Sequence, residues 1–196
     1  MLGVMPESTQ NEPNQFRLLG QRRFLPLFAT QLLGALNDNL LKIALVMLVT
    51  YGWAAEAGYD AAFLVPLCNG IIILPFFLFS ATAGQVADKY DKAWLIRRVK
   101  LLEIAAMLLA AVGLAIGHLE MMIGVLFLMG LQSTFFGPLK YSILPGVLSE
   151  SELVGGNALI ETGTFLAVLV GTIAGGLLLQ LESSATTAVS VVLVAV

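Results

Sequence analysis

Charged residues, cysteine and histidine are all scarce in this sequence. Only 12% of its 196 residues are charged, about half of the roughly 25% that is usual in a soluble domain. The single cysteine, Cys68, excludes a disulfide within the chain. The single histidine, His118, is not followed by the aspartate of an acyltransferase motif, and there is no Walker A sequence. We therefore expect no catalytic residues, no bound metal and no cofactor.

Long apolar runs take up most of the chain. The sequence is 58% hydrophobic and its mean hydropathy is +0.90, and a helix that crosses a bilayer needs about 20 apolar residues. Five runs approach or exceed that length, and a sixth is incomplete at Val196. This pattern predicts an all-α membrane protein, with a polar, loosely ordered cytoplasmic tail at 1–20 and a transmembrane bundle at 24–196. The predicted spans are 24–51, 61–83, 99–117, 121–136, 158–181 and the incomplete 185–196.

The basic residues predict the orientation of this bundle. Lysine and arginine collect in cytoplasmic connections because their translocation is disfavoured. The opposite connections hold only acidic residues and His118. We expect a multi-pass protein of the bacterial inner membrane with its N-terminus in the cytoplasm. Nine of the ten basic residues fall on that side: Arg17, Arg22, Arg23, Lys89, Lys92, Arg97, Arg98, Lys100 and Lys140.

The first span carries charges that need an explanation. Asp38 lies at its midpoint, where a charged side chain costs about 2.5 to 3.5 kcal/mol on insertion scales. Lys42 follows four residues later on the same helical face, where the two can neutralise each other. Asn37 and Asn39 widen the polar stripe. It either holds the helix against its neighbours or lines a water-filled path, where Asp38 binds a cationic group of a substrate or couples transport to an ion.

Glu103 and Glu161 lie towards the cytoplasmic ends of the third and fifth spans, and Lys140 lies in the connection between the fourth and fifth. For Glu103 we expect a structural role, with its carboxylate reaching the interface or pairing with a nearby cation such as Arg97 or Lys100. Lys140 and Glu161 lie at the ends of consecutive spans that meet on the cytoplasmic side. This placement predicts that the two side chains pair.

Glycine and proline mark packing and bending positions. Gly171 and Gly175 have the spacing that lets two membrane helices approach closely, so the fifth span is predicted to present a packing surface rather than a binding site. Pro66 and Pro75 in the second span, and the Gly-Pro pair at 137–138, are expected to bend or break their helices.

The connection between the second and third spans, GQVADKYDKAWLIRR, resembles the signature loop of the major facilitator superfamily. That signature has a glycine, then an aspartate and a basic residue, then a later basic residue. Asp91 and Ala93 depart from it, because the superfamily usually has glycine and a second basic residue there. The resemblance implies that glycine allows a tight turn and close helix contact, while the charged residues latch the two halves of the transporter. The matching positions are Gly84, Asp88, Lys89 and Lys92.

Two longer stretches, FATQLLGALNDNLLKIALVMLVTY and FFGPLKYSILPGVLSESELVGGNALIETGTFLAVLVGTIAGG, are similar to bacterial lysophospholipid transporters over most of 24–181. The resemblance implies the N-terminal six-helix half of a twelve-helix fold, with the sixth helix truncated. It further implies that Asp38, Lys140 and Glu161 act in transport. The expected substrates are lysophospholipids of the lysophosphatidylethanolamine type, moved to the inner leaflet for reacylation. The expected partners are this substrate, membrane lipid and the C-terminal half of the same transporter, with no nucleic acid.

Two other functions remain open at this point. A major facilitator fold also serves transporters of other small solutes, because fold does not fix function. The chain would otherwise be a membrane anchor for a lipid-modifying acyltransferase or ligase fused after Val196, which needs no buried charges. Since two halves move about a site between them, we expect residues 1–196 alone to be inactive.

Overall fold

A computed structural model describes residues 15–48, 58 and 60–181, and within these ranges the chain is helical with no strand. The five long helices are each long and apolar enough to cross a membrane. The prediction of an all-α membrane fold is therefore confirmed. The elements are a 3₁₀ helix Gln15–Gly20, α1 Leu25–Leu48, α2 Ala61–Lys89, α3 Lys92–Ile116, α4 Leu119–Val147 and α5 Glu150–Leu181.

The helices extend beyond the apolar runs, chiefly at the end predicted to be cytoplasmic. Helix α2 continues to Lys89, α3 begins at Lys92, and α5 begins at Glu150. Hydropathy marks the part of a helix that suits lipid, whereas backbone hydrogen bonding continues until a cap ends it. The connection between α2 and α3 is therefore only Tyr90 and Asp91.

Of the bend or break predicted at 137–138, the break is wrong, because α4 runs through Pro138 to Val147. Pro66 and Pro75 likewise lie inside α2. A proline removes one backbone donor from its helix but does not end it where packing supports the helix on both sides.

Polar side chains cap these helices. At the start of α2 the Asp60 carboxylate accepts a hydrogen bond from the Ala62 amide at 2.9 Å. Asp91 does the same for α3, with the Trp94 amide at 2.8 Å. Gly117 ends α3 at φ +66°, a left-handed conformation that glycine adopts without steric cost. These caps account for the short connections.

The expected loose tail is wrong for its last six residues. Gln15–Gly20 form the 3₁₀ helix, and Leu18 is buried against Leu144, Leu148 and Ile160. The rest of that tail, 1–14, and the predicted sixth span at 185–196 lie outside the described residues.

The helices pack as two groups. Helix α1 packs chiefly against α5, while α4 packs against α2 and α3. The two groups meet along a narrower seam, where α4 contacts α1 and α5. Glycine brings the first group together: a Cβ at Gly171 would lie 2.7 Å from the Leu36 carbonyl oxygen, and one at Gly175 2.9 Å from that of Leu40. The predicted packing surface of α5 is confirmed.

Apolar clusters lie on both sides of a polar layer. One cluster contains side chains from all of α1, α2, α3 and α4, among them Leu41, Cys68 and Met122. Two smaller clusters, around Ile160 and around Leu139, lie nearer the end predicted to be cytoplasmic. Between them are buried polar side chains, and the outer surface carries exposed apolar ones, as a lipid-facing surface requires. The buried polar residues are Gln31, Asn37, Glu103, Gln132 and Thr134.

Candidate functional site

A chain of hydrogen bonds joins three helices within the polar layer. Ser133 Oγ of α4 lies 3.1 Å from Asp38 Oδ2 of α1 and 3.0 Å from Gln132 Oε1. Gln132 Nε2 donates to Glu103 Oε2 of α3 at 2.7 Å. Lys100 Nζ donates to the same carboxylate oxygen at 2.5 Å. The pairing of Glu103 with Lys100 is one of those predicted. The hydrogen bond between Glu103 and Gln132, which is buried, was not predicted.

Lys42 does not pair with Asp38 as the sequence predicted. Among the described residues Lys42 forms no salt bridge or hydrogen bond, although its charge acts on Asp38 through space. Asp38 turns instead to Ser133 of the neighbouring helix. The other carboxylate oxygen of Asp38, Oδ1, is buried without a hydrogen-bond partner. The Lys42 ammonium group and Asp38 Oδ1 therefore lie about one turn apart on α1, each without a hydrogen-bond partner among the described residues.

The two asparagines beside Asp38 have different environments. Asn39 donates to the Ala35 carbonyl oxygen of its own helix at 2.8 Å. Asn37 is only 3% exposed, and its Oδ1 has no hydrogen-bond partner. It lines a cavity of about 210 Å³ between α1 and α3, together with Lys100 and Glu103. This cavity is below the usual size of about 300 to 1,000 Å³ for a ligand pocket.

Lys140 and Glu161 form the second polar contact across the seam. Lys140 Nζ lies 3.1 Å from Glu161 Oε1, so the predicted pairing is confirmed. The Tyr141 hydroxyl donates to the same oxygen. The side chain of Lys140 is 12% exposed and that of Glu161 is 39% exposed. The Lys140–Glu161 pair thus lies near the surface of the bundle, where part of the Glu161 side chain is exposed.

The signature residues are helical rather than part of a loop. Gly84, Asp88 and Lys89 occupy the end of α2, and Lys92 is the first residue of α3. Lys92 Nζ donates to the Ser142 carbonyl oxygen at 2.6 Å, which ties α3 to α4. A Cβ at Gly84 would meet nothing within 4 Å among the described residues. The tight turn and close contact expected of Gly84 are therefore not present in this part of the chain.

Three residues of the two contacts were not predicted: Gln132, Ser133 and Tyr141. The first two belong to the stretch GLQSTFF, in which three consecutive polar residues interrupt an apolar run. That is the same signal that Asn37 and Asn39 give around Asp38, but without a charge to mark it. As for metal binding, no group of three histidine, cysteine or acidic side chains within 15–48 and 60–181 is placed to hold an ion.

Comparison with known proteins agrees with this architecture. Residues 19–195 match the major facilitator family described as "Transmembrane secretion effector". The "Lysophospholipid transporter LplT" of Cronobacter sakazakii is 30% identical over 174 residues, which are 89% of this chain and 40% of that protein. The proteins of the same name from an Enterobacter species and from Salmonella typhimurium are each 29% identical, over 82% and 79% of this chain and 37% and 36% of their own lengths.

The chain therefore spans about two fifths of the length of these relatives. No solved structure matches it. The family match, however, covers almost the whole chain, and the five apolar helices agree with it. This chain belongs to the major facilitator family of transmembrane secretion effectors and is a multi-pass membrane protein.

Proposed function

We propose that these residues form the N-terminal half of a transporter that moves lysophospholipids, of the lysophosphatidylethanolamine type, across the bacterial inner membrane for reacylation. The observation that carries the proposal is the similarity of 79% to 89% of the chain to proteins named lysophospholipid transporters. Because the chain covers two fifths of those proteins, the transport site is completed by a C-terminal half of the same transporter. We propose transport rather than catalysis, with lipid and no nucleic acid as partners.

The two polar contacts of the seam suit such a substrate. A lysophospholipid has an anionic phosphate, in this type with an ammonium group, and one apolar tail. Asp38 has a free carboxylate oxygen for a cationic group, and Lys42 and Lys140 supply positive charge for a phosphate. The helix surfaces around them are apolar. A site of this kind holds the head group while the tail stays in an apolar environment.

The proposed orientation places the N-terminus in the cytoplasm. It is supported by the nine basic residues that flank one side of the helices. In a full-length protein from which Cys68 and any other cysteine have been removed, Tyr90→Cys should react with an impermeant thiol reagent only in inverted vesicles. A cysteine at Glu120 should react only in intact spheroplasts. The opposite result would refute the orientation.

The test of the function is uptake of labelled lysophosphatidylethanolamine by spheroplasts that express the full-length protein. Wild type should exceed a vector control, and Asp38→Ala and Lys140→Ala should reduce uptake by about tenfold or more at matched expression, the effect of losing a buried charge-assisted contact. Asn69→Ala is the matched control, because Asn69 is exposed and bonds only within its own helix. Asn69→Ala should keep wild-type uptake.

The alternatives predict other outcomes. No uptake by wild type, with competition by a polar solute, would favour a transporter of that solute. No uptake by wild type, together with cell growth that is unaffected by Asp38→Ala and Lys42→Met, would favour an anchor for a fused enzyme, because an anchor needs no buried charges.

A further inference from the structure

One face of α3 is exposed along the whole helix. Its members recur every three or four residues, as they must on one face of an α-helix. Residues on the opposite side of the helix, among them Glu103 and Leu114, are buried in the bundle. The exposed face is therefore turned away from the other described helices, as a lipid-facing surface is. It includes Trp94, Arg98, Leu101, Leu108, Val112 and Ile116.

The length of this face fixes the depth of its polar end. From Arg98 to Ile116, the last residue of α3, the helix rises by about 27 Å. The hydrocarbon core of a bilayer is about 30 Å thick. Arg98 and Trp94 therefore lie at the level of the phospholipid head groups, at the end of α3 predicted to be cytoplasmic. Tryptophan is enriched at this level of membrane proteins.

Four side chains form a stack at this end of the face. The rings of Tyr90 and Trp94 are stacked, with their centroids 6.0 Å apart. The Arg98 guanidinium lies 5.2 Å from the centroid of the Trp94 ring. Lys89 Nζ lies 5.7 Å from the centroid of the Tyr90 ring. Each cation is thus held by an aromatic face at one end of the pair, and the stack places two positive charges on an exposed surface.

The hydrogen-bond donors of Arg98 are available to a ligand. A guanidinium group carries five N–H donors around its edge, and stacking on an aromatic ring occupies only its flat face. Within the described ranges Arg98 forms no hydrogen bond or salt bridge. Two of its donors can therefore bind two oxygens of one phosphate, a geometry that the planar guanidinium matches.

The charge balance around Arg98 favours an anionic ligand. Residues 88–98 include four basic and two acidic side chains. One acidic group, Asp91, accepts a hydrogen bond from the Trp94 amide, and one basic group, Lys92, donates to the Ser142 carbonyl oxygen. The net positive charge attracts anionic lipid and repels a head group that carries an ammonium group. An anionic phospholipid therefore suits this surface better than a zwitterionic one.

We propose that Trp94 and Arg98 form a binding site for an anionic phospholipid of the cytoplasmic leaflet, such as phosphatidylglycerol. Arg98 binds its phosphate, and Lys89 adds a positive charge beside it. One acyl chain lies along Leu101 and Leu108. The leaflet follows from the proposed orientation. The site itself does not depend on the proposed transport of lysophospholipids, because it lies on the outer surface of the bundle, away from the two polar contacts of the seam.

Native mass spectrometry of the full-length protein tests this site. The protein in detergent would be titrated with phosphatidylglycerol or with phosphatidylcholine of the same acyl chains, and the affinity for the first lipid bound would be compared. Wild type should prefer phosphatidylglycerol. Arg98→Gln should lower this affinity by about tenfold or more, the effect of losing a charge-assisted contact. Arg98→Lys should lose less, because lysine keeps the charge but cannot form the paired hydrogen bonds. Trp94→Ala should lower the affinity by about threefold, because Arg98 loses the ring that orients it.

Arg17→Gln is the matched control. Arg17 is also exposed and predicted to be cytoplasmic, but it lies in the 3₁₀ helix, which packs against α1 and α5. Its replacement removes the same charge and should leave the affinity for phosphatidylglycerol unchanged. The replaced side chains are all exposed, so each variant should keep the wild-type midpoint of thermal unfolding in lipid-free detergent.

Other results would overturn the site. Equal affinity of wild type for the two lipids, or an equal loss in Arg98→Gln and Arg17→Gln, would mean that lipid binds anywhere on the basic side. Displacement of phosphatidylglycerol by inorganic phosphate would mean a site for a free anion. An affinity unchanged in Arg98→Gln, with a dimer that Trp94→Ala dissociates, would mean that a second copy of the chain covers this face. None of these measurements involves lysolipid uptake.

Discussion

Replacement of Gly171 by alanine should weaken the pairing of α1 with α5. A Cβ at Gly171 would lie 2.7 Å from the Leu36 carbonyl oxygen, whereas ordinary contact begins at 3.4 Å. The helices must therefore separate locally by the difference between these distances, 0.7 Å. A backbone oxygen cannot rotate away as a side chain can, and overpacking of this kind costs about 1 to 3 kcal/mol.

The matched control is Gly176→Ala on the same helix. A Cβ at Gly176 would meet nothing within 4 Å among the residues that the structure describes. Both substitutions gain the intrinsic helix preference of alanine, about 1 kcal/mol. The difference in stability between the two variants therefore isolates the cost of overpacking at the contact with Leu36.

The assay measures labelling of Cys68, whose side chain is buried in the cluster formed by α1, α2, α3 and α4. A thiol reagent should label Cys68 only after the helices open, and mass spectrometry of its peptide identifies the site. The overpacking cost predicts about 5 to 150 times more open protein for Gly171→Ala than for Gly176→Ala. Equal labelling of the two variants would refute the close approach of α1 and α5.

Two further predictions concern single contacts. Lys140→Met and Glu161→Gln should each lower the midpoint of thermal unfolding. The double variant should lose less stability than the sum of the two single losses, with a coupling of about 0.5 to 3 kcal/mol. Strict additivity would mean that the pair is not formed. Asp91→Ala should destabilise the protein by about 1 kcal/mol, because the Trp94 amide loses its capping hydrogen bond. The control Asp88→Ala removes no hydrogen bond in the described ranges and should leave the stability unchanged. Equal thermal midpoints for the two variants would contradict the cap.

Hydropathy predicted the number of long helices but not their ends. The run 121–136 stops before Gly137 and Pro138, yet α4 continues to Val147 through two prolines. Its end is followed at once by Glu150, the start of α5, because Ser149 and Glu152 bond each other there. Such ends depend on caps and on tertiary packing, which a count of apolar residues does not measure.

The site was predictable where geometry follows from topology. Lys140 and Glu161 lie in consecutive helices, both towards the end predicted to be cytoplasmic, so their pairing follows from the order of the spans. The partner of Asp38 does not follow in this way. Spacing along an isolated helix favours Lys42, but the choice of Ser133 depends on how α4 is rotated against α1, which the sequence pattern of α1 does not contain.

The residues that bond to the segment just before α1 lie far along the chain, and this has a consequence for biogenesis. Arg23, just before α1, donates to the Val147 carbonyl oxygen 124 residues later and holds the Glu152 carboxylate with two hydrogen bonds. At 5 to 20 residues per second, the ribosome needs about 6 to 25 s to supply those partners. Helix α1 also has the lowest mean hydropathy of the five, 1.2. The least lipid-soluble helix is therefore made first and completes its packing last, so its polar face must be shielded by the insertion machinery or by α4 until α5 emerges.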